Sequence, residues 1–308
     1  MKLRPLKAIR VLLASIIFLF ISYKLLELNS VNPYETHVLL RGQFIPALLS
    51  ASFLWIVFLL ALTLLLGRVY CSVLCPLGIL QDLFFRLRTW SYRFRSKKTP
   101  KLRYVKSNSL IRYSILFITV LTLLLGSTVI LTHLDPYSNF ARISSNLFKP
   151  IIIQANNVAA MLLMKNDNYT LHHISIGYLS IFSLVIALSI FLILAITAIT
   201  RGRLICNPVC PVGTFLGIIS KNAVIRPIIN KSNCTKCGLC ETHCKSQCID
   251  SISKKIDASR CVVCMNCIGV CKNNALKYTL PIPATQKIYK QNRHVKTICK
   301  VRHRLLHP

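Results

Sequence analysis

Two consecutive cysteine runs near the C-terminus constrain the fold more than any other feature of this 308-residue chain. Each run has the spacing C-x2-C-x2-C-x3-C, and together they occupy residues 234–271. Three thiolates from one tight loop and a fourth from the start of a helix are the ligands of a [4Fe–4S] cube. The runs therefore predict a small α+β domain at 226–280, with a short hairpin at 249–257 between its halves.

When two such runs follow one another, the fourth cysteine of each ligates the other cluster. The first predicted ligand set is Cys234, Cys237, Cys240 and Cys271. The second is Cys261, Cys264, Cys267 and Cys244. The alternatives are zinc sites, which use C-x2-C pairs across a longer gap, and disulfides, which cysteines three residues apart do not easily form. A ninth local cysteine, Cys248, is interpreted as a packed thiol.

The runs resemble those of bacterial two-cluster ferredoxins except at one position. Lys245 and Lys272 stand where a proline usually follows the last cysteine of each run. An oxidised cube with four thiolates carries about −2, so a nearby ammonium group should favour reduction. We expect the replacement of either lysine by proline to lower the reduction potential of the adjacent cluster.

The remainder of the chain has the composition of a membrane protein, because 54% of all residues are hydrophobic. Four apolar stretches, at about 11–28, 44–66, 110–132 and 174–200, are predicted to be transmembrane helices. A fifth, 148–164, carries Gln154, Asn156 and Asn157, which are costly in hydrocarbon when unpaired. We interpret it as an interfacial or re-entrant helix. The predicted fold class is a mostly α, polytopic membrane protein with a small α+β ferredoxin domain.

The charge is strongly basic: 39 lysines and arginines against 8 acidic residues give a net charge of +31. The basic residues concentrate at the N-terminus, in the loop 68–109 and after residue 200. By the positive-inside rule, the N-terminus and the ferredoxin domain lie in the cytoplasm, at the cell inner membrane. The tail at 281–308 is expected to lie in solvent or on the lipid surface. No nucleic-acid-binding module accompanies the charge, so nucleic acid is not an expected partner.

The apolar part of the chain contains an internal duplication. The motif G-R-x-x-C-x3-C-P-x-G occurs at 67–78 and again at 202–213, each time after an apolar stretch. The predicted repeats are 1–109 and 110–225, and parallel repeats usually pack about an axis along the membrane normal. This arrangement would bring four cysteines together, Cys71, Cys75, Cys206 and Cys210. They are interpreted as a further iron–sulfur or metal site, as a thiol site that meets a partner, or as packed thiols that end helices.

Four spans, the paired C-x3-C-P motifs and the trailing cysteine runs resemble the NapH type of membrane ferredoxin. They are also similar to the C-terminal half of NosR and to the CcoG proteins, over residues 10–280. The resemblance implies electron transfer between the quinone pool and a redox partner, a reductase subunit or a ferredoxin. The chain would then serve as the quinol dehydrogenase component of an oxidoreductase complex.

A quinol site needs proton acceptors near the membrane surface. Four candidates lie near the ends of apolar stretches, His133, Asp135, His172 and His173. The alternative for these residues is an interfacial position with no role in catalysis. Two other functions stay open: a CcoG-like copper reductase or assembly factor, for which soft thiols are suitable ligands, and a membrane redox sensor.

Overall fold

The computed structural model describes residues 4–26, 43–50, 52–95, 102–164, 170, 172–175, 180–204 and 206–280. The side chains of residues 4, 5 and 93 are excepted, and the basic tail at 281–308 lies outside the described residues. We call the described residues up to 225 the helical unit and residues 226–280 the C-terminal domain.

The helical unit contains twelve described α-helices and one π-helical turn. They are α1 (Arg4–Leu26), α2 (Phe44–Leu49), α3 (Phe53–Leu66), α4 (Tyr70–Val73), α5 (Pro76–Phe94), α6 (Ser109–Leu124), α7 (Val129–Leu134), α8 (Pro136–Ile143), the π turn (Ser144–Phe148), α9 (Lys149–Met164), α10 (Ile181–Arg201), α11 (Cys206–Val209) and α12 (Pro211–Ser220). The C-terminal domain follows as β1 (Arg226–Ile229), α13 (Leu239–Thr242), β2 (Ile249–Asp250), β3 (Lys255–Ile256), α14 (Asn266–Val270) and β4 (Leu276–Thr279).

Among the described residues, three helices are long and apolar enough to cross a membrane. They are Leu6–Leu26 within α1, the continuous helix Pro136–Met164, and Ile181–Arg201, which is α10. Few of their residues are buried against the rest of the protein, so most of their apolar surface is available to lipid. The protein therefore has the helices of a membrane protein.

Two of the four predicted spans are interrupted. In the stretch 44–66, α2 ends at Leu49 and α3 begins at Phe53, and the stretch 110–132 is split into α6 and α7. α6 ends because Gly126 adopts φ = 80°, a left-handed conformation that favours glycine and ends helices. At 1.5 Å per residue, α3 and α6 are about 21 and 24 Å long, short of a hydrocarbon core of about 30 Å. The structure does not confirm four full-length spans.

The stretch 148–164 is different from the interfacial helix that we predicted. It continues α8 through the π turn into a 29-residue helix that meets the length and hydropathy of a membrane span. Its polar side chains are paired: Asn157 Nδ2 donates to the Ile174 carbonyl at 2.9 Å, and its Oδ1 accepts from the Ile174 amide at 2.9 Å. Asn156 Nδ2 donates to the His172 carbonyl at 3.0 Å. This pairing removes most of the cost that argued against a span.

Three helices of the helical unit contact the C-terminal domain through their ends, and these ends lie on the same side of the unit. Hydrogen bonds mark this side, from Tyr278 Oη to the Leu66 carbonyl at 2.6 Å, from Arg112 Nη2 to the Ser259 carbonyl at 2.9 Å, and from Gln247 Nε2 to the Arg201 carbonyl at 2.9 Å. The C-terminal domain is thus fixed to the ends of α3, α6 and α10.

The C-terminal domain is held by two short antiparallel pairs. β1 pairs with β4, so that Ile229 lies opposite Leu276 and the two ends of the domain are joined. β2 pairs with β3, with Ile249 opposite Ile256. This second pair is the hairpin that the sequence predicts between the cysteine runs.

Candidate iron–sulfur centres and the paired motifs

The cysteines of the two runs line two separate cavities. The outer cavity, of about 170 Å³, is lined by four of them, Cys234, Cys237, Cys240 and Cys271. The inner cavity is smaller and more enclosed, and it is lined by Cys244, Cys248, Cys261, Cys264 and Cys267. Apart from Cys248, these are the two groups that the exchange of the fourth cysteine predicts.

Backbone conformation explains how each run wraps around its cavity. Three positions with positive φ recur in the two halves of the C-terminal domain. The equivalent pairs are Lys236 and Val263, Gly238 and Met265, and Gln247 and Asn274. The first two positions flank the second cysteine of each run and turn the loop inward. L-residues rarely adopt this region, so its repetition indicates that the fold, and not local preference, sets these loops.

Cys248 adds a fifth sulfur to the inner group. It is 1% exposed, and its Sγ lies 3.6 Å from Cys244 Sγ. The hydrogen bond from the Cys248 thiol lowers the pKa of Cys244, and backbone amides assist it. Hydrogen bonds to Cys244 and Cys261 raise the pKa of Cys248 in turn. Of the two sulfurs, Cys244 is therefore the one whose deprotonated form is favoured.

The paired motifs of the helical unit have equivalent local structures. Cys75 and Cys210 precede the helices α5 and α12, and each sulfur accepts a hydrogen bond from the glycine amide three residues later, at 3.4 and 3.2 Å. The prolines after them, Pro76 and Pro211, occupy the first helical position. The C-P-x-G part of each motif is thus a helix start that presents a sulfur to free backbone amides.

The arginine of each motif reaches into the other repeat. Arg203 Nη1 donates to the Cys71 carbonyl at 2.7 Å, and its Nη2 donates to the Gly78 carbonyl. Arg68 Nη1 donates to Asn207 Oδ1 at 2.9 Å, and a Cβ added to Gly213 would lie 2.7 Å from Arg68 Nη2. This crossed arrangement accounts for the arginine and the final glycine of the motif, because a Cβ at Gly78 would collide with the Cys71 carbonyl oxygen and one at Gly213 with Arg68 Nη2.

The four motif cysteines lie close enough to one another to influence each other's pKa, as the duplication predicts. Burial, followed by the nearby Cys71 and Cys206, raises the pKa of the Cys75 thiol. Burial and the other three motif cysteines raise the pKa of Cys210. Cys206 Sγ lies 3.1 Å from Gln81 Oε1, to which it donates. We call these residues, Cys71, Cys75, Cys206 and Cys210, the four-cysteine group.

One acidic residue links Arg203, the arginine of the second motif, to Lys245 of the C-terminal domain. Asp82 Oδ1 lies 2.9 Å from Arg203 Nε and 3.1 Å from Lys245 Nζ, and Asp82 Oδ2 lies 3.8 Å from Arg10 Nη1. All four side chains are at most 11% exposed. Three cations around one carboxylate leave a buried excess of positive charge beside Cys264, whose charge acts on all three cations.

Several buried donors near the cysteines lack an acceptor among the described residues. Arg68 Nε and Asn207 Nδ2 lie beside the four-cysteine group, and Ser246 Oγ lies in the lining of the inner cavity. Buried donors without partners are rare in native structures, and the sulfides and thiolates of an iron–sulfur cluster accept such bonds. The surroundings therefore fit an anionic cluster in both places.

The described residues contain no group of three or more histidine, cysteine or acidic side chains placed to hold one metal ion.

The four residues predicted for a quinol site lie in two separate places. Asp135 is 1% exposed and caps α8, where its Oδ2 accepts from the Ser138 amide at 2.7 Å. His172 and His173 lie at the other end of the long helix, beside Asn156. Twenty-one residues of helix separate Asp135 from Asn156, or about 30 Å. His133 is exposed near Asp135. These four residues cannot form a single site.

Comparison with known proteins identifies the paired motifs. A family described as a 4Fe–4S binding domain matches residues 48–101 and again 183–232, the segments that contain the two motifs. The uncharacterized protein MJ0750 of Methanocaldococcus jannaschii is 30% identical over 230 residues, 73% of this chain and 77% of that protein. YccM of Escherichia coli, named for electron transport, is 25% identical over 81% of this chain and 61% of its own length.

The ferredoxin-type protein MauN of Paracoccus denitrificans, named for methylamine utilization, is 27% identical over 68% of this chain and 60% of its own length. No solved structure matches this chain. The similarity to MJ0750 covers most of both proteins, and the 4Fe–4S binding domain is found twice. The chain belongs to the family of membrane-type ferredoxins that carry this 4Fe–4S binding domain.

Proposed function

We propose that this protein transfers electrons at a membrane through [4Fe–4S] clusters held by the C-terminal domain. Cys234, Cys237, Cys240 and Cys271 hold the outer cluster, and Cys261, Cys264, Cys267 and Cys244 hold the inner one. The observation that carries this proposal is the sorting of these cysteines around two separate cavities, in the groups required by an exchanged fourth ligand. The names of YccM and MauN support the same class of function.

The four-cysteine group is proposed to hold a further [4Fe–4S] cluster. The family match supports this assignment, because it covers both motifs and ends before the first run of the C-terminal domain. Two helix starts and the crossed arginines Arg68 and Arg203 would compensate the negative charge of a cube with four thiolates. A cluster here would lie between the two repeats. The ion pairs of Asp82 with Arg203 and Lys245 would link its surroundings to those of the inner cluster.

The electron donor or acceptor on the membrane side is proposed to be the quinone pool. The Asp135 end of the long helix is favoured over the His172 end, because Phe140 of α8 packs in the same hydrophobic core as Tyr70 and Cys75. A quinol oxidised near His133 and Asp135 would therefore lie closer to the four-cysteine group. The N-terminus and the C-terminal domain are proposed to lie in the cytoplasm, at the cell inner membrane.

Reduction of the clusters in sealed membranes by a short-chain quinol under strict anaerobiosis tests this function. Visible bleaching and a low-temperature EPR signal should appear with the quinol, and the contributions of the outer and inner clusters should be absent from a Cys234→Ala/Cys261→Ala variant. If dithionite reduces the clusters and no quinol does so, the quinone assignment is wrong and the cluster assignment stands.

The third site has its own test. A Cys71→Ser/Cys206→Ser variant should lose about 4 of about 12 iron atoms per chain and should keep the EPR signals of the other two clusters. An unchanged iron content would contradict a cluster at the four-cysteine group. Copper bound to the native protein and lost in this variant would favour the copper-handling function instead.

A further inference from the structure

The two cluster cavities of the C-terminal domain differ in what surrounds them. The inner cavity lies against the helical unit: Lys245 beside it contacts Asp82, and Val263 in its lining lies against Gly67. The outer loop, at 231–240, is instead bonded within the C-terminal domain, as in the bonds from Lys254 Nζ to the Lys231 and Cys234 carbonyls at 2.8 Å. The inner cavity is therefore the one that contacts the helical unit through Lys245 and Val263.

Exposure shows the same difference. Cys237 is the one cysteine among the described residues that is exposed, and it lies in the outer group. Cys264 and Cys267, at the corresponding positions of the inner group, are each 8% exposed. Electrons tunnel efficiently only over short distances, so a soluble protein partner would have to approach the outer group.

The surface around Cys237 is basic. Two lysines line the outer cavity, Lys236 and Lys272, and two more line the neighbouring cavity, Lys231 and Lys254, the latter with its Nζ on the Cys234 carbonyl at 2.8 Å. We call these four lysines the basic rim. Three of them are exposed, and Lys254 is half-buried. The nearest acidic side chains of the domain already accept bonds from this chain, Glu241 from Ser251 and from the Tyr104 amide, and Asp250 from Ser253.

We propose that the basic rim around Cys237 is the docking surface for a soluble, acidic, one-electron carrier protein. This inference rests on the proposed function and adds the place and the charge of the partner. Opposite charge would steer the carrier to the face from which electrons leave or enter the outer cluster. A lipid surface is a less suitable occupant, because the bonds that fix the domain to α3, α6 and α10 come from Tyr278, Ser259 and Gln247, which lie outside the loop 231–240.

Charge reversal on the rim tests the proposal. The purified full-length protein, reduced with dithionite, would be mixed in a stopped-flow instrument with an acidic flavodoxin or, in parallel, with a basic cytochrome c. We expect faster exchange with the acidic carrier, and a rate that falls steeply between about 20 and about 500 mM salt. A Lys236→Glu/Lys272→Glu variant should lose about tenfold in rate at low salt.

A matched variant controls for net charge. Arg86→Glu, combined with Arg95→Glu, reverses the same number of exposed charges along and just after α5, in the helical unit. These substitutions should leave the rate nearly unchanged. An equal loss in both variants, or no loss in the rim variant, would overturn the proposal, as would stronger binding of the rim than of the control face to anionic vesicles. If the native protein contains no iron and shows no EPR signal, the proposed function itself fails.

Discussion

The ammonium group of Lys245 lies 3.1 Å from Asp82 Oδ1, and this ion pair joins the C-terminal domain to the helical unit. Lys245 follows Cys244, at the position where two-cluster ferredoxins usually have a proline. Its ammonium also lies 5.4 Å from the centre of the Phe85 ring. The lysine thus has a structural partner and, at the same time, adds positive charge beside the inner cavity.

Substitutions in this pair should shift the potential of the inner cluster in opposite directions. Asp82→Asn removes a negative charge and should raise the potential, whereas Lys245→Gln removes a positive charge and should lower it. For charges about 8–15 Å from the cluster at an effective dielectric near 20, the shift is roughly 1–2 kcal/mol, or about 40–90 mV. Potentiometric titration followed by EPR measures it, and the outer cluster serves as the internal reference. Shifts of the same sign in both variants would contradict this account.

Gly202→Ala should weaken the attachment of the C-terminal domain. Gly202 has φ = 65°, and an added Cβ would lie 2.7 Å from the Lys245 carbonyl oxygen, which accepts from the Arg203 amide at 2.8 Å. The strain and the lost contact together should cost about 1–3 kcal/mol. Thermal unfolding in detergent would show it as a lower midpoint.

Gly269→Ala is the matched control, because an added Cβ there meets nothing within 4 Å. This variant should retain the midpoint of the native protein. Equal midpoints in the two variants would show that the close approach at Gly202 does not matter for stability.

Cys244→Ala and Cys248→Ala should have different effects although the two sulfurs are 3.6 Å apart. Cys244→Ala removes a ligand and should reduce the iron content by about 4 atoms per chain. Cys248→Ala removes a hydrogen-bond donor and should leave the iron content unchanged while lowering the cluster potential. Iron analysis with potentiometry separates the two roles, and iron loss in the Cys248 variant alone would exchange them.

Asp257 should stabilise the turn 257–260, which bonds to the helical unit, at pH values above the acidic range. Its carboxylate accepts from Ser259 Oγ at 2.6 Å and from Arg260 Nε at 2.8 Å, and the Ser259 carbonyl in turn accepts from Arg68 and Arg112. Burial alone would raise the pKa of Asp257, but these hydrogen bonds and Arg260 outweigh it and lower the pKa. The stabilisation is therefore present above the unfolded pKa of about 4 and is lost as the pH falls through the lower folded pKa.

Asp257→Asn should accordingly cost about 1–2 kcal/mol near pH 7, and this difference should shrink below about pH 4. The midpoint of thermal unfolding, followed by far-UV circular dichroism for both proteins at each pH between about 3 and 8, reports it. A difference between the native protein and the variant that persists at the acidic end would show that the carboxylate charge is not responsible.

The sequence predicted which cysteines of the two runs line the same cavity, because local spacing sets the shape of each loop. Their role as cluster ligands stays a prediction. The duplication likewise predicted that Cys71 and Cys206 come close, since a repeated motif at equivalent helix ends implies a repeated position. The crossed arginines were missed, although Arg68 and Arg203 stand at equivalent positions in both motifs. A residue that contacts the opposite repeat leaves no signal in the spacing of its own repeat.

The transmembrane helices predicted from the sequence agree less well with the structure, for two physical reasons. Hydropathy averaged over a window does not register a single helix end, so the left-handed Gly126 was overlooked. The polar Asn156 and Asn157 were counted as unpaired, whereas the segment 172–175 returns to satisfy them. Pairing between distant parts of the chain is not visible in the composition of one stretch.

The most direct test of the central claim is the metal content and EPR spectrum of the full-length protein prepared under strict anaerobiosis. We predict at least about 8 iron atoms and an equal amount of acid-labile sulfide per chain. On reduction, the spectrum should show two [4Fe–4S] signals broadened by their mutual interaction. Zinc in place of iron, or a reduced protein without any cluster signal, would contradict the account.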